Sequence, residues 1–187
     1  MNITASQNHK YINYKMGEIT FISGGSRSGK SSYAVKLAKE KTKKVLFIAT
    51  AAALDKEMRL RIKLHKKSRP ARWKTIEEPE NLSLLAKDLS GAFDLVIIDC
   101  LTLFISNLLL KGHSDKYIEK EVNSALKIFK KRDFDTILVT NEVGWGIVPE
   151  NPLARRFRDL AGRVNQNAAG ISDKAFLMIS GIPLRIK

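Results

Sequence analysis

The stretch Ile19-Thr20-Phe21-Ile22-Ser23-Gly24-Gly25-Ser26-Arg27-Ser28-Gly29-Lys30-Ser31 decides how the rest of the chain is read. Ile19 to Ile22 are β-branched or aromatic and read as a short buried strand, and a helical pattern follows from Ser31 to about Lys41. Between them, Gly24 to Ser31 satisfies G-x-x-x-x-G-K-[ST], in the strand-to-helix setting where that pattern has physical meaning. Glycines let backbone N–H groups turn inward around phosphate oxygens, and the helix N-terminus adds a favourable dipole. In such a loop Lys30 reaches the β and γ oxygens and the Ser31 hydroxyl ligates Mg²⁺. Gly24, Gly25, Ser26, Arg27, Ser28, Gly29, Lys30 and Ser31 are therefore the expected phosphate-binding residues.

Outward from the loop, apolar runs recur at Val45 to Ile48, Leu95 to Ile98, Thr136 to Val139 and Phe176 to Ile179. Amphipathic stretches lie between them: about Asn81 to Leu89, Thr102 to Leu110, Asp115 to Lys131, and a long one after Asn151-Pro152. In the last, Leu153, Phe157, Leu160, Ala161, Val164 and Ala168 share one face, Asn151 and Pro152 suit the cap and first turn, and Gly170 suits the stop. Five nearly continuous apolar strands alternating with helices predict a mostly parallel sheet with helices on both faces. With the loop, this is a single P-loop NTPase-like (RecA-like) α/β domain over residues 17–187, preceded by a flexible extension at 1–16. Asp99 closes the run Leu95 to Ile98, the pattern of a strand-end carboxylate that holds Mg²⁺, often through water.

The chain carries 33 Lys plus Arg against 19 Asp plus Glu in 187 residues, a net charge of +14, so its partner or substrate is expected to be anionic. The most apolar stretch, Leu95 to Leu110, is interrupted by Asp99 and Asn107 and is shorter than the roughly 20 apolar residues of a membrane span. Met1 to Met16 lacks the apolar core of a secretory signal, and the single Cys100 excludes an internal disulfide and a zinc-binding cysteine cluster. A cytoplasmic protein without structural metal is expected.

The densest positive segment holds Lys56, Arg59, Arg61, Lys63, Lys66, Lys67, Arg69 and Arg72 against Asp55 and Glu57, with His65 inside it. Such a run serves as a solvated helix face or a nucleic-acid contact. It also suits a neutral imidazole that attacks a nucleotide α-phosphate among cations that steady the departing pyrophosphate. Three activities remain open on the residues alone: a nucleotidyl-transferring kinase, a nucleic-acid-binding P-loop ATPase, and a small-metabolite kinase with no use for His65. Polynucleotide-stimulated hydrolysis marks the second, and indifference to His65→Ala marks the third.

The loop together with Phe47-Ile48-Ala49-Thr50-Ala51, Asp55-Lys56-Glu57-Met58, His65, Arg69-Pro70 and Thr140-Asn141-Glu142-Val143-Gly144-Trp145-Gly146-Ile147-Val148-Pro149 resembles the bifunctional adenosylcobinamide kinase / adenosylcobinamide-phosphate guanylyltransferase family of cobalamin biosynthesis. The resemblance continues through Leu153 to Asp159, Ala161 to Gln166 and Ser180-Gly181-Ile182-Pro183, and covers Gly17 to Lys187. It implies phosphorylation of the aminopropanol hydroxyl of adenosylcobinamide, with ATP or GTP as donor. It further implies transfer of GMP from GTP to that phosphate through a GMP-histidine intermediate, giving adenosylcobinamide-GDP.

Some members carry two adjacent histidines in the basic segment; here the first place is Leu64 and the second His65, so His65 is the nucleophile by position. His9 falls in the extension and His113 in a loop. The resemblance also places Ala49, Thr50 and Ala51 near the nucleotide, Lys66, Lys67, Ser68 and Arg69 along GTP, Glu77 as a contact to GTP, and Asp99 as an acidic contact to nucleotide or metal. It implies a homotrimer, with no nucleic acid among the partners. Glu142 at a strand end suits orienting the substrate hydroxyl, binding magnesium or capping the following helix. Trp145 suits a corrinoid contact, the core or a subunit interface.

Overall fold

All six residues of Ile19–Gly24 (β1) are buried, and so are all five of Val45–Ala49 (β2), as strands covered on both faces must be. A computed structural model describes residues 16–52, 56–67, 69–89 and 93–187; residues 1–15 of the expected extension lie outside that set, as does Ser68. The other strands are Lys74–Glu77 (β3), Leu95–Asp99 (β4), Asp135–Val139 (β5), Lys174–Ile179 (β6) and Ile182–Arg185 (β7). The helices are Lys30–Lys41 (α1), Lys56–Lys67 (α2), Leu82–Asp88 (α3), Leu101–Leu110 (α4), Asp115–Lys130 (α5) and Pro152–Ile171 (α6).

The strands form one sheet in the order β3-β2-β4-β5-β1-β6-β7, parallel except for the antiparallel β7. On one face α1 packs over Ile22, Phe47, Ile97, Ile137 and Val139. On the other, α3, α4, α5 and α6 cover Phe21, Leu46, Ile48, Val96, Ile98 and Leu138. The expected single α/β domain with a mostly parallel sheet and helices on both faces is what forms.

Two strands join the five read from the sequence. β3 is an edge strand with exposed ends, and β7 is exposed throughout, so neither carries the apolar run that marks a central strand. A tight turn at Ser180 and Gly181, with φ of 49° and 86°, folds β7 back on β6, and Pro183 is tolerated because β7 is the sheet's edge. α6 starts as expected, with the Asn151 side chain accepting from Ala154 N–H at 3.1 Å and Pro152 in the first turn. Gly170 does not end it; the helix runs to Ile171, and the Ser172 hydroxyl bonds back to Ala168 O at 2.6 Å.

Around the amino ends of the strands, Lys41 bridges Glu18 and Asp135, Lys174 pairs with Glu18, and Lys130 with Asp173. Burial works to raise the Glu18 carboxyl, but hydrogen bonds and charge from Lys174 and Lys41 outweigh it and hold Glu18 below its ordinary value. Lys41, Lys130 and Lys174 thus serve ion pairs at the edge opposite the phosphate loop.

Candidate active site

Parallel strands present their carboxyl ends at one edge, and in open α/β sheets ligands bind there. β1 leads into the loop, and Gly24 starts it with φ of 150°. A Cβ on Gly24 would lie 2.6 Å from Met178 O and 2.7 Å from Ser28 Oγ, so only glycine fits beside β6. Gly29 caps α1 with no side-chain hydrogen bond, which leaves the first N–H groups of the helix open to a ligand. Lys30 is buried, and its Nζ donates to Gly25 O at 2.6 Å, so the ammonium lies across the loop. Burial pulls Lys30 below its ordinary pKa, and the Asp99 carboxylate opposes that pull.

Two cavities meet at this edge. One, of about 440 Å³, is the cradle of the loop: Ser26 to Ser32 with Asp99, Cys100, Leu103, Val139 and Asn141. The other, of about 510 Å³, is a groove along α1 lined by Val35, Lys36, Lys39, Glu40, Phe47 and Arg69. Ser31, Ser32 and Asp99 belong to both, so the cavities join at the hydroxyl and the carboxylate that the sequence points to. In the groove the Arg69 guanidinium stacks 3.4 Å from the Phe47 ring centre, and its buried Nη1 has no hydrogen-bond partner among the described residues. Burial lowers its pKa, opposed by the Asp99 and Glu77 charges. A cation that has lost water and gained no partner on one nitrogen is a ready anion donor.

The basic segment is helix α2, whose Lys66 forms an ion pair with Glu77 at the end of β3. His65 and Lys67 lie on this helix, and their side chains lie outside the described set. Ala49 closes β2 and its carbonyl accepts from Glu78 N–H at 2.9 Å, while Ala51 is half-buried. Thr50 is fully buried: its hydroxyl accepts from Cys100 N–H and donates to Cys100 O, both at 2.7 Å. Thr50 thus fastens the end of β4, and any influence it has on a ligand passes through Asp99 and Cys100.

Placed in this fold, the chain can be set beside known proteins. A family described as CobU, cobinamide kinase / cobinamide phosphate guanyltransferase, matches residues 20–186. The chain belongs to the cobinamide kinase / cobinamide phosphate guanyltransferase family. The bifunctional adenosylcobalamin biosynthesis protein CobU of Salmonella typhimurium is 42% identical over 179 residues, 89% of this chain and 98% of that one. Protein CobP of Pseudomonas aeruginosa, also a bifunctional adenosylcobalamin biosynthesis protein, is 39% identical over 166 residues, 89% of this chain and 95% of its own.

Among solved structures, the flagellar accessory protein FlaH of Methanocaldococcus jannaschii superposes with a TM-score of 0.55 at 16% identity, covering 92% of this chain and 79% of that chain. An ATPase of a bacterial type III secretion system gives 0.57 at 12% identity, covering 87% of this chain and 51% of its own. Those two likenesses establish the P-loop NTPase fold alone.

Family membership leaves the roles of Glu142 and Trp145 to geometry. Glu142 Oε1 accepts from Gly144 N–H at 3.1 Å, and Asn151 caps α6, so Glu142 is not the helix cap. Trp145 is 75% exposed, which removes it from the core. The sequence puts Asn141 at the carboxyl end of the sheet, just after the run Thr136 to Val139, and the structure makes it a lining residue of the cradle. Which groups it faces depends on the strands that flank β5. Among the described residues no helix is long and apolar enough to cross a membrane, and no cluster of three or more His, Cys, Asp or Glu could hold a metal ion.

Proposed function

We propose that this chain phosphorylates the aminopropanol hydroxyl of adenosylcobinamide and then transfers GMP from GTP to the new phosphate, yielding adenosylcobinamide-GDP and pyrophosphate. The observation that carries this reading is the junction of the two cavities at Ser31 and Asp99, in a chain of the cobinamide kinase / guanyltransferase family. The loop, Gly24 to Ser31, cradles the β and γ phosphates, with Lys30 compensating their charge. The groove beside α1 takes the nucleoside end, with Arg69 donating to phosphate or ribose and Glu77 accepting from guanine or ribose at the rim. The α-phosphate then lies at the junction.

His65 is the nucleophile of the second reaction. Its ring nitrogen bonds to the α-phosphorus as the α–β P–O bond breaks and pyrophosphate departs from the cradle. An oxygen of adenosylcobinamide phosphate next displaces the histidine, breaking the P–N bond and restoring the imidazole. Arg69, four residues beyond His65, lines the groove, and Lys66 ties this segment to Glu77 at the end of β3.

A hydroxyl and a carboxylate at the junction form an all-oxygen donor set that suits Mg²⁺, an ion that keeps water and phosphate oxygens as its other ligands. Ser31 and Asp99 would hold it, and it supplies neutralisation of the triphosphate. ATP and GTP share the triphosphate that the loop binds, so either serves the first reaction, whereas the second requires GTP. The active assembly is a homotrimer, a reading supported by the exposed Trp145, Ile147 and Val148 and by the exposed edge strand β7.

The test is product formation by the purified protein with Mg²⁺, GTP and adenosylcobinamide, followed by mass spectrometry. Adenosylcobinamide phosphate appearing first and adenosylcobinamide-GDP after it is the expected order. Hydrolysis of GTP with the corrinoid unchanged would overturn the assignment.

A further inference from the structure

Three neighbouring strands, β4, β5 and β1, end at the cradle, and alternation along each decides what it presents to the α1 face. Leu95 and Ile97 of β4 lie in the core on that face, so Asp99 follows them. Ile137 and Val139 of β5 lie there too, so Asn141 is next in line. Val139 is in register with Asp99 on one side and Ile22 on the other. Beyond the strand the ladder continues, Thr140 N–H to Ile22 O at 3.0 Å and Glu142 N–H to Gly24 O at 2.9 Å. Asn141 therefore stands one pleat beyond Asp99, level with the first glycine of the loop and between the carboxylate and the loop. It lines the cradle with Lys30 and Ser31, and no hydrogen bond among the described residues engages its carboxamide.

The main chain of Asn141 is, by contrast, held on both sides. Its N–H donates to Thr102 Oγ1 at 2.6 Å, and the Thr102 and Thr140 hydroxyl oxygens are 3.0 Å apart. Thr140 donates to Asn165 Oδ1 at 2.8 Å, and Asn165 Nδ2 donates back to Asn141 O at 3.1 Å. Because the Thr140 proton goes to Asn165, the proton between the two threonines is that of Thr102, and the hydrogen bonds run head to tail around a closed ring. Thr102, Thr140 and Asn165 are all buried, and they draw α4, β5 and α6 onto one peptide. A fully satisfied buried polar ring fixes position in a way that an apolar trio of similar volume cannot.

We propose that the Asn141 carboxamide donates a hydrogen bond to the terminal phosphate of the nucleotide in the cradle, and that Thr102, Thr140 and Asn165 are positioning residues that set its place. The inference rests on the reading of the cradle as the site of phosphate transfer. Its consequence is a difference between the two reactions. In the kinase step the terminal phosphorus is the reacting centre, so a donor aimed at its oxygens acts on the transition state. During guanylylation the reacting phosphorus is the α one, and the terminal phosphate only departs with pyrophosphate.

The experiment measures both rates on the full chain: adenosylcobinamide phosphate formation, and transfer of label from α-labelled GTP to the protein. Asn141→Ala keeps the ring, which uses only the main chain of residue 141. Its kinase turnover is expected to fall about 30- to 100-fold, and its guanylylation rate at least about tenfold less than that. Thr102→Val, which removes the hydroxyl and keeps the shape, reproduces the same imbalance more weakly, and Thr102→Ser restores the wild-type balance. Equal loss of both rates in Asn141→Ala, no loss in either, or Thr102→Ser behaving as Thr102→Val would each overturn the proposal. A wild-type protein that forms neither product overturns the proposed function and this inference with it.

Discussion

Replacing Lys30 by alanine is expected to lower both phosphoryl and guanylyl transfer on the order of 10³-fold while leaving the fold intact. The fold holds the ammonium in place, buried and donating to Gly25 O. A charge held in position spends nothing on reorganisation when negative charge develops on the phosphates, and with it gone the cradle loses its buried ammonium. The lysine contributes little to the core, since its partners are the loop's own Gly25 and Ser28. Thermal unfolding of Lys30→Ala should therefore stay within a few degrees of wild type. Lys30→Arg should not rescue activity, because a planar guanidinium does not fit where the buried Lys30 places a compact ammonium against Gly25 O. Steady-state rates for both products check this. Retention of either reaction within tenfold of wild type would remove Lys30 from the mechanism.

The largest effect on stability should come from the opposite end of β1. A Cβ on Gly17 would lie 1.8 Å from Phe134 O and 2.3 Å from Phe134 C, both main-chain atoms that cannot swing aside. Gly17→Ala must push the chain away from β5. That strains the bonds from Gly17 N–H to Arg132 O at 2.7 Å, Glu18 N–H to Asp135 Oδ1 at 2.9 Å and Thr136 N–H to Glu18 O at 2.8 Å. The expected cost is about 3 kcal/mol or more, a drop of about 10 °C in Tm for a domain of this size. Activity per folded molecule should persist, because Gly24 and the cradle lie at the other end of the strand. Urea unfolding is the check; an unchanged midpoint would mean that the approach of Gly17 to Phe134 is not as close as described.

These two glycines illustrate what the sequence discloses and what it withholds. Gly24 was legible because a local pattern surrounds it, a strand before and a helix after. Gly17 has no such signature, since the atoms it avoids belong to Phe134, more than a hundred residues later and just before β5. The same division runs through the site. Lys30, Ser31 and Asp99 each follow or end an apolar run and could be read locally. Asn141, just after the run Thr136 to Val139, could be placed at the carboxyl end of the sheet in the same way, but its place beside Asp99 follows from β5 lying between β4 and β1, an order that pairing decides and composition does not record. Thr50 shows the converse: its motif pointed to the nucleotide, and the fold spends its hydroxyl on the main chain of Cys100.

Charge was the least informative signal. The +14 total invited nucleic acid as a partner, yet Lys41, Lys130 and Lys174 serve ion pairs around the amino ends of the strands. Arg156 and Arg163 likewise clamp α6 to Asp115 and Glu119 of α5. What distinguishes the site is the geometry of a few cations: Lys30 across the loop, Arg69 over Phe47, and Lys66 on Glu77.

The most direct test of the central claim, that one chain joins a phosphate loop to a histidine that carries GMP, is covalent labelling. The protein is incubated with Mg²⁺ and GTP labelled on the α-phosphate, then denatured and exposed to acid and to base, with His65→Ala and Lys30→Ala treated alongside. The account predicts a label on the wild-type chain that acid removes and base does not, absent from His65→Ala and greatly reduced in Lys30→Ala. A wild-type chain that binds GTP and takes up no label, or a His65→Ala chain that labels as well as wild type, would contradict it.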